Sequence, residues 1–487
     1  MNRNTFISFV LFIFFSFSLF SQNKEEDVGV EDIFRSVVLV RNDGFSSENK
    51  IQPWMKKNLS TGLGSGLVIS DRLVLTNAHV IQDAKRVTVR TGVSRKEYPA
   101  EVKFIGYDCD LALLEVKDKE FENNTDSLSF ADIPPALGSD LLVLGYQNGQ
   151  ENLTVEKGSV LRYEKNRYSF SGLDFRNVIR IHAHAQPGNS GGPAIQNGKV
   201  VGLLFQISKL GKDIAYLIPN DIIQHFLSDI KDGKYDGFPN LGFTFQGGTP
   251  VSLKQALRIP AEESGIFVNR VYPQSTFSSL LKEKDFLVSI DGFNISNEGE
   301  INQTGKKEFI IEYIEGKQLG AKINLEVYRS GKKYQTEATL QKNFSLELYR
   351  ENSDHYLLSA GFVFQPVSRS FFNSEEGDLD SSLKYHYSYF IQDLLYRYTN
   401  RDIVLSYTFD DPETAKYKKY KFKVLESING VVPKDLDHLK QIWKENSRNF
   451  IVLRFRGMDL PIVLRPESVE QINVRVKKRY GANYETL

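Results

Sequence analysis

The run Gly188-Asn189-Ser190-Gly191-Gly192-Pro193 is the segment of this chain best suited to covalent chemistry. A serine hydroxyl is a poor nucleophile until a base takes its proton. Attack on a carbonyl also needs N–H groups aimed at the developing oxyanion. Glycines on both sides of Ser190 permit the backbone geometry that turns such amides inward, and they clear room for a substrate. The bland reading of the run is a tight Gly-rich turn, and two other segments weigh against it. Leu73-Val74-Leu75-Thr76-Asn77-Ala78-His79-Val80 sets a histidine just after an apolar strand. Asp108-Cys109-Asp110-Leu111-Ala112-Leu113-Leu114 sets an aspartate at the head of another. An acid flanked by Leu111 and Ala112 is expensive to bury without a partner. A histidine N–H is the partner that would also hold an imidazole in the tautomer a general base needs. Alone, a histidine in such a place is more often a core residue. Together, in the order His79, Asp110, Ser190, the three describe acyl transfer.

The elements that must position these residues are β-strands. From Val37 to Leu217 short runs rich in β-branched and aliphatic residues alternate with turns, among them Val37–Val40, Leu67–Ile69, Leu111–Val116, Leu141–Gly145, Val178–His182 and Val200–Phe205. Many short strands predict a barrel or sandwich. Asn197-Gly198, between Pro193–Gln196 and Lys199–Phe205, predicts a hairpin, because both turn residues tolerate positive φ. Asn220 is placed to cap a helix carrying Ile222, Ile223, Phe226, Leu227 and Ile230 on one stripe, with Gly233 as its stop. Lys231 to Pro239 reads as a linker.

Two further units follow, over about 238–342 and 346–476. Gly361-Phe362-Val363-Phe364 in the second is similar to Gly242-Phe243-Thr244-Phe245 in the first, and Ser427-Ile428-Asn429-Gly430 to Ser289-Ile290-Asp291-Gly292. Their shared order suggests two related modules. The basic tail after Val476 reads as frayed.

At 487 residues the chain suits about three domains. Its 61 basic and 61 acidic residues balance, with no excess to suggest a nucleic-acid partner. Arg3 followed by the apolar Phe6–Phe20 reads as a signal peptide over residues 1–22, or as an uncleaved anchor, so the rest of the chain is expected to be exported, periplasmic or secreted. Cys109 is the sole cysteine, which rules out an intramolecular disulfide, and it reads as a buried small hydrophobe.

The segments Thr76–Val80, Asp110–Leu114 and Gly188–Pro193 resemble the three signature blocks of the HtrA/Deg serine proteases. Gly64-Ser65-Gly66, Gly198–Gln206 and Ala215-Tyr216-Leu217-Ile218-Pro219 extend the likeness. Pro53-Trp54 and Gly237-Phe238-Pro239 bring it nearest to the plant-type Deg branch. The resemblance implies a mainly β fold: a trypsin-like double β-barrel over 23–236, then PDZ-like α+β domains over 238–342 and 346–476. It implies that Ser190 attacks, His79 is the base, Asp110 orients it, and the amides of Gly188 and Ser190 form an oxyanion hole with Asn189 setting the turn. It implies a PDZ site for peptide C-termini at Leu241, Gly242 and Phe243, although Leu241 and Phe243 could instead fill that module's core. No cofactor or metal is called for. The expected activity is ATP-independent endoproteolysis of unfolded exported proteins by a homo-oligomer, trimeric or hexameric. A chaperone or scaffold built on the PDZ units, or a regulatory protease with one client, are the alternatives.

One segment departs from the family pattern, and one loop stands apart from the catalytic blocks. His182 and His184 precede the nucleophile loop and would share one face of a strand, either as wall or packing residues or as part of a metal site. The loop from Asn42 to Ser60, with Trp54 and Met55, is either a contact and regulatory segment or a solvent-exposed loop.

Overall fold

The computed structural model describes residues 30–481, apart from 47–52, 55–57, 173, 209–212, 249, 274, 304, 342–354, 447–448 and much of 368–401. The expected signal segment lies outside the described residues.

Twelve strands make two closed barrels. The first holds β1 (Val37–Ser46), β2 (Asn58–Ser70), β3 (Leu73–Thr76), β4 (Ala84–Thr91), β5 (Glu97–Gly106) and β6 (Leu111–Val116), in the order β1-β2-β3-β6-β5-β4. The second holds β7 (Asp140–Gly145), β8 (Thr154–Arg167), β9 (Phe175–Ala183), β10 (Pro193–Gln196), β11 (Lys199–Ile207) and β12 (Ile214–Pro219), in the order β10-β11-β12-β9-β8-β7. Closure leaves no unpaired edge. Val38, Val40, Val74, Val89, Leu114 and Val116 pack inside the first barrel, and Val143, Ile181, Val201 and Leu217 inside the second. A third cluster, with Leu75, Leu111, Leu144, Leu203 and Phe226, joins the barrels to the closing helix. The predicted hairpin is present: Gln196 pairs with Lys199 across Asn197 (φ 51°) and Gly198 (φ 72°).

The closing helix spans Asn220–Asp229, and its N-cap is Pro219. Asn220 therefore does not cap it as expected. Its carboxamide donates instead to the carbonyls of Ala131 (3.0 Å) and Val200 (2.8 Å), tying the helix to the barrel.

The first later module has a sheet of order β13-β14-β15-β19-β20, from β13 (Phe243–Gln246), β14 (Ile266–Val271), β15 (Phe286–Ile290), β19 (Lys322–Arg329) and β20 (Lys332–Thr339). Short β16 (Phe293–Asn294) pairs with β15, and β17 (Glu300–Gln303) with β18 (Lys306–Phe309). The second module has two sheets. One is β21 (Leu357–Ser359), β22 (Phe362–Pro366) and β23 (Ile403–Thr408); the other is β24 (Leu425–Ile428), β25 (Ile451–Phe455) and β26 (Ile462–Leu464).

Hydrogen bonds bear out the repeat read in the sequence. Gly242 O accepts from Tyr272 N (3.0 Å), and Gly361 O from Phe409 N (2.8 Å). The ladder shifts register at the same place in both, between Thr244 and Phe245 and between Val363 and Phe364. Asp291 exchanges two bonds with the backbone of Asn324, both 2.7 Å, through its own N–H and its carboxylate. Asn429 does the same with Val452, both at 2.8 Å. Asp and Asn both tolerate the left-handed turn geometry these positions require.

The tail is not frayed at Val476. The last helix runs Pro466–Tyr480, with Val476 buried and Arg479 and Tyr480 donating to Asp410 O.

A buried polar cluster links the two barrels to the linker. Arg176 reaches Asp108 through both its backbone carbonyl (2.9 Å) and its carboxylate (3.2 Å). Tyr235 donates to the same carboxylate, and the Arg176 guanidinium lies 3.8 Å from the centre of the Phe238 ring. His225 also stacks on Phe238, with ring centroids 3.9 Å apart. Burial, aided by the Arg176 charge, pushes the His225 pKa down to about 4. The unfolded chain therefore binds a proton here that the folded chain refuses between pH 6.5 and pH 4. Stability is full above pH 6.5 and falls by about 3 kcal/mol as the pH drops through that window. Denaturant titrations at pH 7 and pH 4 are expected to show this loss. His225→Phe, which keeps the stack, is expected to remove most of it.

Candidate active site

The catalytic histidine predicted from sequence sits in a short 3-10 turn, Ala78–Ile81, directly after β3. Its carboxylate partner lies in the turn before β6. Strands β3 and β6 are neighbours, with Thr76 opposite Ala112, so barrel closure brings the two turns together. Asp110 is fully buried and adopts φ 54°. This geometry aims its carbonyl at Ala78 N (3.2 Å) and at the Asn77 carboxamide (2.9 Å). Its carboxylate then accepts twice from His79, from the backbone N–H at 2.9 Å and from ring Nδ1 at 2.7 Å. A carboxylate has no proton to give, so Nδ1 carries the hydrogen and Nε2 is left as the acceptor. Burial works to lower the His79 pKa, but the adjacent Asp110 charge and its hydrogen bond outweigh it, and the net shift is upward.

Asp108 cannot play this part, because Arg176 and Tyr235 hold its carboxylate. Cys109, between them, is fully buried beside Tyr235, and burial pushes its thiol well above the ordinary range.

Ser190 belongs to the second barrel but is anchored to the first. Its carbonyl accepts from Ser65 N on β2 at 2.7 Å, and Ser65 O accepts from Thr76 Oγ1 at 2.7 Å, three residues before His79. Gly64 allows this approach: a Cβ there would stand 2.6 Å from Val80 Cγ1 and 3.2 Å from Ser190 O. One point on β2 thus meets both the neighbour of His79 and the backbone of Ser190.

The loop before Ser190 is fixed peptide by peptide. Pro187 O accepts from Asn148 N at 2.6 Å, and Asn189 O from Gly192 N at 2.9 Å. In a planar trans peptide the N–H points opposite to its carbonyl. The amides of Gly188 and Ser190 therefore face away from those two partners. Neither donates to a backbone acceptor among the described residues. Gly188 holds φ +97°, and a Cβ there would lie 2.3 Å from Tyr146 O, so no other residue fits. Asn189 is buried in the turn, its N–H bonded to Gln186 O at 3.1 Å.

Sequence reasoning missed three contributors. The Ser65 hydroxyl donates to Gly188 O (2.7 Å) while accepting from Tyr146 N (2.9 Å), which locks the loop to β2 and β7. Gly64-Ser65-Gly66 was legible as a lead-in to the histidine strand, but nothing in it names the acceptor. Phe170 stands 6.1 Å from the His79 ring and stacks with Tyr107 at 5.8 Å, forming an aromatic wall without sequence signal. Asn148 anchors the loop through its N–H and reaches Gln186 through its side chain (2.7 Å).

His182 and His184 are both exposed, so neither is a packing residue. His184, just beyond β9, bonds Asp213 through Nδ1 (2.7 Å) and Gln186 through Nε2 (2.8 Å). No group of three or more metal-ligating side chains occurs among the described residues. In the first module Phe243 is buried in the core and Leu241 packs against it. Their side chains are thus core residues, as the alternative reading held, while the backbone of β13 forms an edge of its sheet.

Comparison with known proteins agrees with this geometry. The trypsin-like peptidase domain family matches residues 64–203 and a PDZ domain family matches residues 347–486. The chain is 32% identical over 421 residues to putative protease Do-like 13 of Arabidopsis thaliana, covering 86% of this chain and 81% of that one. The chain belongs to the Do-like, or HtrA/Deg, protease family. To mitochondrial protease Do-like 4 of the same plant it is 30% identical over 413 residues, covering 83% and 76%. A variant of the HtrA-type protease AlgW, solved with a decapeptide, shares the fold at 22% identity and a TM-score of 0.50, over 63% of this chain and 94% of that one. This Do-like protein is accordingly a serine endopeptidase with a PDZ domain in its C-terminal part.

Proposed function

We propose that this Do-like protease is an exported, ATP-independent endopeptidase of protein quality control that cleaves unfolded polypeptides through an acyl-enzyme. The observation that carries the site assignment is the Asp110 carboxylate, bonded to both the backbone and the ring of His79, with Ser190 tied to the strand beside them. Ser190 Oγ attacks the scissile carbonyl carbon as its proton passes to His79 Nε2. Asp110 steadies the resulting imidazolium through Nδ1–H. Charge gathers on the substrate oxygen, and the amides of Gly188 and Ser190 receive it. His79 then protonates the leaving amine as the C–N bond breaks. Water, deprotonated by the same imidazole, frees the acyl group and restores Ser190.

The first module supplies a receptor for peptide ends in this reading. Among the described residues its strand β13 is bonded on one side only, to β14, and an edge strand with a preceding Gly loop is what strand addition uses. Gly242 holds φ +66° in that loop. The working unit is a homo-oligomer, trimeric or hexameric, and the segment 1–22 directs export.

The test is cleavage of casein, an unfolded substrate, and of a stably folded protein by the purified chain without nucleotide. Casein is expected to be cut at least roughly tenfold faster, because proteolysis follows the population of open substrate. Equal rates on both, or a requirement for ATP, would overturn the proposal.

A further inference from the structure

The two PDZ-type modules share a repeat, but they differ at the place where a peptide would bind. In the first, β13 is the end strand of its sheet. In the second, the equivalent strand β22 is central, with β23 on one side and β21 on the other. The equivalence is fixed by the shared register shift and by the matching Gly242–Tyr272 and Gly361–Phe409 bonds. Strand β21 therefore occupies the edge that remains open on β13.

The orientation of β21 is that of a bound peptide. It pairs antiparallel with β22, Leu357 opposite Phe364 and Ser359 opposite Phe362. Its C-terminal end enters the Gly loop directly through Ala360 (φ 50°) and Gly361 (φ 72°). A peptide captured by strand addition likewise lies along the strand with its carboxylate at the loop amides. Here one such amide is already taken: Ala360 N donates to the Asn473 carboxamide of the last helix at 2.8 Å.

The apolar side of the groove is filled as well. Leu357 and Leu358 are 2% exposed and share a core with Phe364, Leu439 and Trp443, the last two on the Leu436–Lys444 helix. His355, just before β21, bonds Asp437 at the start of that helix at 3.1 Å. The segment 355–359 is thus held between strand and helix, where a ligand's side chains would insert.

We propose that the C-terminal module is a self-liganded PDZ domain, with β21 as its built-in peptide, so that each chain offers one receptor for peptide ends, on β13. The count of one rests on the reading of the first module given above; the closure of the second does not. The experiment uses the full chain carrying Ser190→Ala, which spares the probe from cleavage. The probe is a fluorescein-labelled heptapeptide with a free, apolar C-terminal residue, read by anisotropy and by amide hydrogen exchange. One peptide is expected to bind per chain, raising protection over residues 243–246 and leaving residues 362–366 unchanged. In the free chain, amides of 357–359 are expected to exchange at least about tenfold more slowly than in an unstructured peptide of that sequence. Two sites per chain, or new protection over 362–366, overturns the proposal, and so does fast exchange at 357–359. A probe that binds nowhere while 357–359 stays protected sinks the β13 receptor and leaves the closed second module standing. Leu357→Asp with Leu358→Asp, built to expel β21, is expected to raise the count from one to two. Because the exchange measurement needs no such variant, its misfolding would leave the test intact.

Discussion

Ser190→Ala is expected to lower the rate of peptide-bond hydrolysis by about 10⁶-fold, the scale on which serine peptidases lose activity with their nucleophile. The variant should also fail to react with a fluorophosphonate. Both effects have one cause, since only the deprotonated hydroxyl can form a bond to carbon or phosphorus. The fold should survive. Ser190 holds its loop to β2 through its carbonyl, which alanine keeps, and the loop's other ties run through Gly188, Asn189 and Gly192. Melting temperatures of the two proteins should therefore agree. Residual hydrolysis above that of water, about 10³- to 10⁴-fold, would remain from the amides and from substrate binding. Casein cleavage within tenfold of the unaltered protein would remove Ser190 from the mechanism.

The site was legible where its chemistry demands something local. Glycines around a serine, and an acid at the head of an apolar strand, break the ordinary rules of turns and cores. Such breaches are visible one segment at a time. Partners distant in the chain were not. Asp110 could be preferred to Asp108 because it immediately precedes Leu111-Ala112, but what holds Asp108 instead, Arg176 and Tyr235, lies 68 and 127 residues away. Ser65 acts through one hydroxyl whose acceptor is 123 residues away. Asn220 has good capping chemistry, yet two barrel carbonyls compete for its side chain. The repeat of the two modules could be read from two four-residue matches, because a Gly loop and an Asx turn restrict their residue types. The closure of the second module could not. Leu357-Leu358-Ser359 is too short to mark itself as a strand, and Ala360-Gly361 lacks the Asn-Gly signal of the barrel hairpin.

The contact of Asp110 with His79 makes a second, sharper expectation, because Asp110→Asn changes charge while keeping shape. The Asn oxygen can still accept from the His79 backbone N–H, the bond now made at 2.9 Å. That places the Asn NH₂ against Nδ1, where the carboxylate oxygen stood at 2.7 Å. Nδ1 must then accept, so the ring hydrogen moves to Nε2, the nitrogen that the proposed mechanism needs free for the serine proton. An imidazole in that tautomer cannot take the serine proton. The expected loss in kcat is about 10⁴-fold. The pH profile should move too. In the unaltered protein Asp110 raises the His79 pKa in spite of burial, so the acid limb of kcat/KM should lie above the ordinary histidine value of 6.5. With the charge gone, burial acts unopposed and the limb should shift to lower pH, on a much reduced plateau. A profile on a short peptide substrate reads both quantities. A plateau within tenfold of the original, or an acid limb left in place, would mean that the carboxylate at 110 neither sets the tautomer nor supports the charge on His79.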